Sequence, residues 1–150
     1  MQRTLILLKP DAIQRRLIGT IIQRFEQKGL RLVAMKMVHP SEDLAEKHYA
    51  VHKGKPFYDS LLSFLTGGPT VAMVWEGREA VAVARTLMGS TDGTKAPPAT
   101  IRGDFAISVQ NNLVHGSDSP ENAASEIALW FTGKELLGYE MADGAWVAGK

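Results

Sequence analysis

Four short β-rich runs, separated by segments of helical spacing, predict an α+β domain with a four-stranded antiparallel sheet. The order of elements fits a ferredoxin-like βαββαβ unit with helices on one face. Two additions complete the outline: a helical hairpin between the second and third strands, and a long loop before the fourth. At 150 residues the chain is expected to form one compact domain over 1–150, and no linker, repeat or low-complexity tract divides it.

Thr4 to Leu8 is an apolar run stopped by Lys9-Pro10, and reads as a buried first strand. Ile18, Ile21, Ile22 and Phe25 recur at helical spacing, with Gly29 as the C-terminal stop. Leu30 to Val38 is rich in β-formers and partly alternating, giving the second strand. Ser41 can cap a helix whose first turn carries Glu42 and Asp43, acids that suit a positive helix end. Pro56 suits the first turn of another short helix, running through Leu65 and ended by Gly67-Gly68. Thr70 to Trp75 is the third strand, and Ala80 to Met88 a helix closed by Gly89. From Ser90 to Gly103 the chain reads as a loop. Structureless stretches of that length are uncommon in compact domains and tend to be functional. Leu113 and Val114 suggest a short fourth strand leading into His115-Gly116-Ser117-Asp118. Ser119-Pro120-Glu121 is a strong helix start, and that helix carries Ile127, Leu129, Trp130 and Phe131. The tail from Lys134 is weakly patterned and is expected to lie along the surface.

Composition excludes several classes of function. Apolar and charged fractions of 45% and 22% are those of an ordinary globular protein. A formal charge of +1 gives no reason to expect nucleic acid or an anionic membrane as the main partner, so any anion site must be a local cluster of cations. The absence of cysteine rules out disulfide and thiolate chemistry. No segment approaches the roughly 18 unbroken apolar residues of a membrane span, and Leu5 to Leu8 is too short for a signal-peptide core. A cytoplasmic protein is the expectation.

Four familiar motifs fail. Gly89 to Lys95 has glycines four apart, and no Gly-Lys pair followed by a hydroxyl residue, so its amides and lysine cannot form a P-loop. No GxGxxG follows a strand. His115, Ser117 and Asp118 supply the residue types of a hydrolase triad, but such members converge from separate elements, and no GxSxG elbow is present. His48 and His52 stand i, i+4 as two zinc ligands would, yet Tyr49 replaces the glutamate of a zinc protease, and a solvated helix face is the expected reading. Singly, the remaining polar residues read blandly too: Lys9 as a strand-end charge, Arg85 as a last-turn cation, Phe57 as core.

Taken in order along the chain, they read differently. Asn112-Leu113-Val114-His115-Gly116-Ser117-Asp118 resembles the active-site signature of nucleoside diphosphate kinases. The similarity extends from Arg3-Thr4-Leu5 and Lys9-Pro10-Asp11 through His48-Tyr49, Lys55-Pro56-Phe57 and Gly68-Pro69. It continues through Thr100-Ile101-Arg102-Gly103-Asp104-Phe105 to Ile127-Ala128-Leu129-Trp130-Phe131.

The resemblance implies a phosphotransferase working by ping-pong transfer through a phosphohistidine. The nucleophile would be the δ nitrogen of His115, with Glu126 holding the other ring nitrogen and Ser117 steadying that carboxylate. A neutral imidazole can attack phosphorus only while the attacking nitrogen is unprotonated, so a partner fixing the second nitrogen is required. By the same resemblance Arg85 and Arg102 bind phosphate, and Thr91 adds a hydroxyl. Lys9 and Asn112 reach the sugar, with Lys9 also near the transferred phosphate, and Tyr49 stands close to the histidine. Phe57 stacks on the base, an interaction open to any base and hence tolerant of all. Mg2+ is expected to ride mainly on nucleotide phosphates, with Asp118 helping through water. Partners are nucleoside di- and triphosphates and further copies of the chain: a homohexamer is favoured by a tail reaching Lys150, a homotetramer being the alternative. Where many members carry Asn-Pro, this chain has Asp92-Gly93, a change expected to soften the long loop. Two rival readings remain at this stage: a nucleotide- or nucleic-acid-binding regulator on the same scaffold, and a histidine-dependent phosphate-ester hydrolase.

Overall fold

The computed structural model describes residues 1–149; Lys150 lies outside the described residues. Four strands, β1 (Gln2–Leu8), β2 (Arg31–Val38), β3 (Thr70–Gly77) and β4 (Val114–Gly116), form one sheet in the order β2-β3-β1-β4. Every pairing is antiparallel. This is the expected βαββαβ arrangement. β1 lies inside the sheet, with Leu5, Ile6, Leu7 and Leu8 wholly buried, which explains its unbroken apolar run.

Alternation along β1 divides the core in two. Ile6 and Leu8, with Met73 and Trp75, face α2 (Ile18–Lys28) and α5 (Ala80–Met88), packing on Ile21, Phe25, Ala84 and Met88. Leu5 and Leu7, with Ala72 and Val74, face the opposite way. They meet Ala45 of α3 (Glu42–His48), Leu65 of α4 (Tyr58–Thr66), and Ile127 and Trp130 of α7 (Pro120–Trp130). The two helices of the βαββαβ unit thus share one face as expected, while the added hairpin and α7 cover the other. Both faces of the sheet are buried, and the site forms at its β1–β4 end.

Several expected boundaries shift. Pro10 does more than stop β1: at the first position it starts a five-residue helix, α1 (Pro10–Gln14), because its fixed φ and missing N–H suit that place. Pro56 stands outside α4, which begins at Tyr58 with Phe57 at its cap. Phe131 is the C-cap of α7 rather than part of it, with an extended backbone. The long loop is not structureless to Gly103: Thr100 accepts from the Gly103 N–H through its side chain and caps α6 (Ile101–Phe105). The tail closes with α8 (Gly144–Ala148), a short helix packed on the outside.

The Asp92-Gly93 turn is tied down rather than loose. Asp92 accepts from the Thr94 N–H at 3.0 Å and hydroxyl at 2.7 Å, and Gly93 N–H donates to Ser108 O at 3.3 Å. A Cβ at Gly93 would collide with the Ala106 carbonyl, so the turn requires glycine here.

Candidate active site

The register of the sheet sets the site. His115 lies opposite Leu7, and Val114 opposite Leu8, so β4 runs beside the last residues of β1 and His115 stands next to the point where Lys9 leaves the sheet. Between them the chain is strained. Leu113 has φ +73°, an uncommon conformation for a side chain of its size. Two groups hold it there. Leu113 N–H donates to Asp11 Oδ2 at 3.0 Å, and Leu113 O accepts from Lys9 N–H at 2.8 Å. Asp11, to which the sequence assigned no role, is thus the brace that α1 supplies to the segment bearing Asn112 and His115.

These elements enclose a cleft of about 680 Å³. Lys9, Tyr49, Phe57, Arg85, Thr91, Arg102, Asn112, His115, Asp118 and Glu126 all line it, so ten of the eleven residues expected at the site converge there. Ser117, the eleventh, is buried behind His115 and accepts a bond from Leu5 N–H at 3.4 Å.

His115 presents one ring nitrogen to each side. Nε2 lies 2.8 and 3.1 Å from the two oxygens of Glu126. The carboxylate can only accept, so it fixes the proton on Nε2 and leaves Nδ1 with a free lone pair. Ser117 Oγ is 3.4 Å from each Glu126 oxygen, long for a hydroxyl donor. Its support of the carboxylate is therefore weaker than the sequence reading implied.

The cations are immobilised before any anion arrives. Arg102, nearly fully buried, donates from Nε to Asn112 O (3.2 Å), from Nη1 to Gly89 O (3.0 Å) and from Nη2 to Val114 O (2.6 Å). It thereby joins the end of α5 to β4. Burial, with a further push from Arg85, lowers it to about 10, so it stays charged near neutrality. Arg85 Nη1 donates to Gly116 O at 3.2 Å. Lys9 Nζ donates to Gln110 O at 3.1 Å and to Asn112 Oδ1, while Asn112 Nδ2 donates to Thr91 O at 2.9 Å. Burial brings Lys9 down to about 8, against the opposing pull of Asp11. Tyr49 is raised to about 12 by burial and the nearby Glu126 charge, and so remains a neutral phenol. At the rim Phe57 is 46% exposed, with the His52 ring edge-on at 5.3 Å, an open aromatic face rather than core.

One residue departs from its expected place. His48 does not sit on a solvated helix face: α3 ends at it, so His52 belongs to a separate turn, and His48 points inward. Its Nδ1 accepts from Trp130 Nε1–H at 3.2 Å, and its ring stands edge-on to His115 with centroids 4.6 Å apart. The i, i+4 spacing pointed the wrong way, since the two histidines lie on separate elements. Of the segment from Gly89 to Lys95, Thr91 lines the cleft and Lys95 does not.

An imidazole oriented by a carboxylate, in a cleft also lined by fixed cations, has the parts that phosphoryl transfer needs. The family profile described as nucleoside diphosphate kinase matches residues 2–136. The nucleoside diphosphate kinase of Carboxydothermus hydrogenoformans is 56% identical over 147 residues, covering 98% of this chain and 99% of that one. Human nucleoside diphosphate kinase 3 is 52% identical over 97% of this chain and 86% of its own. A halophilic nucleoside diphosphate kinase from Halobacterium salinarum, solved in complex with CDP, superposes with a TM-score of 0.95 at 48% identity, covering 97% of each chain. The chain belongs to the nucleoside diphosphate kinase family, and its activity is phosphotransfer.

Proposed function

We propose that His115 Nδ1 carries the phosphoryl group between nucleotides in a ping-pong cycle. Nδ1 attacks the γ-phosphorus of a nucleoside triphosphate; the P–N bond forms as the bond to the β–γ bridging oxygen breaks, and a diphosphate departs. A second diphosphate enters the same cleft, its terminal oxygen attacks the phosphohistidine, and the P–N bond breaks. The observation that carries this reading is the Nε2–Glu126 contact at 2.8 Å, which leaves the lone pair on Nδ1 in a cleft that Lys9, Arg85 and Arg102 also line.

Glu126 keeps the nucleophilic tautomer and offsets the positive charge that grows on the ring as Nδ1 bonds phosphorus. Arg85, Arg102 and Lys9 neutralise phosphate charge, with Thr91 adding a hydroxyl. Lys9 and Asn112 contact the sugar, and Tyr49 borders the reacting group. Phe57 stacks on the base without reading its edges, which supports broad base tolerance. The cleft contains two carboxylates, and Glu126 is engaged with His115. Asp118 alone is left for a cation, and it already accepts from Asn122 Nδ2 at 2.6 Å. That sparse donor set suits Mg2+ held mainly by nucleotide phosphates and water, with Asp118 reaching it through water. The ion would neutralise phosphate charge and align the transferred group.

We further infer a single cytoplasmic domain that assembles as a homohexamer. No helix among the described residues is long and apolar enough to cross a membrane. Light scattering should give about six times the 16.4 kDa subunit mass; about four times would replace the hexamer by a tetramer.

The test of the mechanism is intact-protein mass after brief mixing with ATP and Mg2+. The native chain should gain about 80 Da, acid-labile and discharged by GDP but not by guanosine. His115→Gln should gain nothing and lose turnover while keeping its fold. Retention of more than a few per cent of activity would defeat the covalent route.

A further inference from the structure

His48 offers a buried polar atom beside His115 that the proposed cycle leaves unused. His48 lies at the end of α3, its ring enclosed by three others: Trp130 at 5.5 Å, Tyr49 at 4.8 Å and His115 at 4.6 Å between centroids. Its Nε2 is buried and has no hydrogen-bond partner among the described residues. Such a group in the interior calls for an explanation.

Two explanations compete. One ring nitrogen of His48, one of His115 and a carboxylate oxygen of Glu126 lie within 4.8 Å of one another, a spacing that could close on a transition-metal ion. The indole of Trp130 decides against this. An indole N–H can only donate, so His48 Nδ1 must accept, and the proton of the neutral ring must be on Nε2. A metal at Nε2 would need that proton moved to Nδ1, where it would face the Trp130 N–H donor to donor. His48 is therefore a preset donor on a ring beside His115 rather than a ligand. Burial, reinforced by His115, Lys9 and His52, keeps the ring neutral well below the ordinary histidine range.

We propose that His48 Nε2–H, its proton placed there by Trp130, donates a hydrogen bond to the phosphoryl group as that group passes to and from His115. This rests on the reading of His115 as the phosphoryl carrier. Among the described residues the buried donor meets no acceptor, which is unfavourable. A non-bridging oxygen on the neighbouring histidine supplies the acceptor. The penalty is relieved when phosphorus is on or approaching His115, so the contact favours the transition state and phosphoenzyme over the resting state. His48 is then a catalytic residue and Trp130 its positioning residue.

Two conservative variants separate this role from a structural one. His48→Asn keeps a polar atom where Nδ1 stands and can still accept from Trp130, but has nothing at the Nε2 position. His48→Gln places its amide donor at the Nε2 position and gives up the acceptor for Trp130. Rates of His115 phosphorylation by ATP and Mg2+, measured by rapid quench on variants with intact unfolding midpoints, should fall about 100-fold for Asn and less than about tenfold for Gln. Equal rates, or Asn faster than Gln, overturn the proposal. The nitrogen-15 spectrum of the native protein gives an independent reading. It should place the His48 proton on Nε2, and Trp130→Phe should release it to a mixture of tautomers; a native proton on Nδ1 overturns the proposal even where a variant fails to fold. If the native chain takes up no phosphoryl group, the reading of His115 fails first and this inference falls with it. If it does and the Asn and Gln variants match it, only the role of His48 fails.

Discussion

Lys9 combines two demands that pull in opposite directions, and replacing it exposes both. Lys9 is 7% exposed, its ammonium held by Gln110 O and Asn112 Oδ1, and burial lowers it from 10.5 to about 8. That displacement amounts to about 3 kcal/mol favouring the neutral amine in the folded state. The sign follows from proton binding. Between pH 8 and 10.5 the unfolded lysine binds a proton that the folded one does not, so this group's contribution to stability rises with pH. The penalty is fully present below pH 8 and gone above 10.5. Lys9→Met removes the group at every pH, but leaves Asn112 Oδ1 without its donor, a loss of about 1–3 kcal/mol. At pH 7 the variant should therefore be as stable as the native chain or up to about 2 kcal/mol more stable, while its phosphotransfer rate falls roughly 100- to 1000-fold. Urea unfolding at pH 7 and pH 10 checks the stability side. The difference between variant and native should move by about 2–3 kcal/mol in favour of the native chain at the higher pH. A difference independent of pH would refute the claim that Lys9 is charged at the cost of stability. On the catalytic side, kcat/KM of the native enzyme should decline on an alkaline limb near pH 8. The limb for kcat should lie higher, because bound phosphate raises the lysine.

Two other expectations follow from the geometry. Phe57→Ala should raise KM by about 5- to 100-fold for purine and pyrimidine diphosphates alike, because every base offers a π face; a loss confined to one base would mean that Phe57 is not the stacking platform. Gly93→Pro, which brings the loop nearer to many family members, should destabilise by about 1–3 kcal/mol in chemical unfolding. It deletes the donor to Ser108 O and sets a ring against the Ala106 carbonyl. A gain in stability would show that the native turn is as soft as sequence suggests.

The parts of the fold that could be read in advance are those whose signals are local. β1 and β3 declare themselves as apolar runs because both lie inside the sheet, and α5 is bracketed by a strand and by Gly89. Shorter elements escaped. α1 is five residues long, too short for a periodic stripe, and its proline serves equally as a stop and a start. α6 contains Gly103, a weak helix former, and follows Pro97-Pro98, so the hydroxyl cap of Thr100 was lost among loop signals. For the site, the list of residues was legible through resemblance. Their mutual support was not: the three carbonyls that hold Arg102, the Asp11 brace on Leu113 and the distance of Ser117 from Glu126 all depend on tertiary register.

His48 shows most clearly why spacing alone misleads. A histidine four residues before another suggests one helix face only if the helix continues, and here it ends at the first of them. What decides the chemistry of His48 is a donor 82 residues away. Trp130 reads in sequence as one more apolar residue of an amphipathic helix, and its ring does fill the core beside Leu5 and Leu7. Its N–H is what a hydropathy pattern cannot weigh. Tryptophan has a donor and no acceptor, so burying it beside a histidine both requires a lone pair and dictates which nitrogen supplies it. Glu126, also on α7, acts on His115 in the complementary sense, as an acceptor that places the proton on the nitrogen it faces. One helix, through a tryptophan and a glutamate four residues apart, thus sets the tautomers of two histidines on two different elements. Any shift of α7 against β1 would change both at once, which ties the packing of that face of the sheet directly to the chemistry of the cleft.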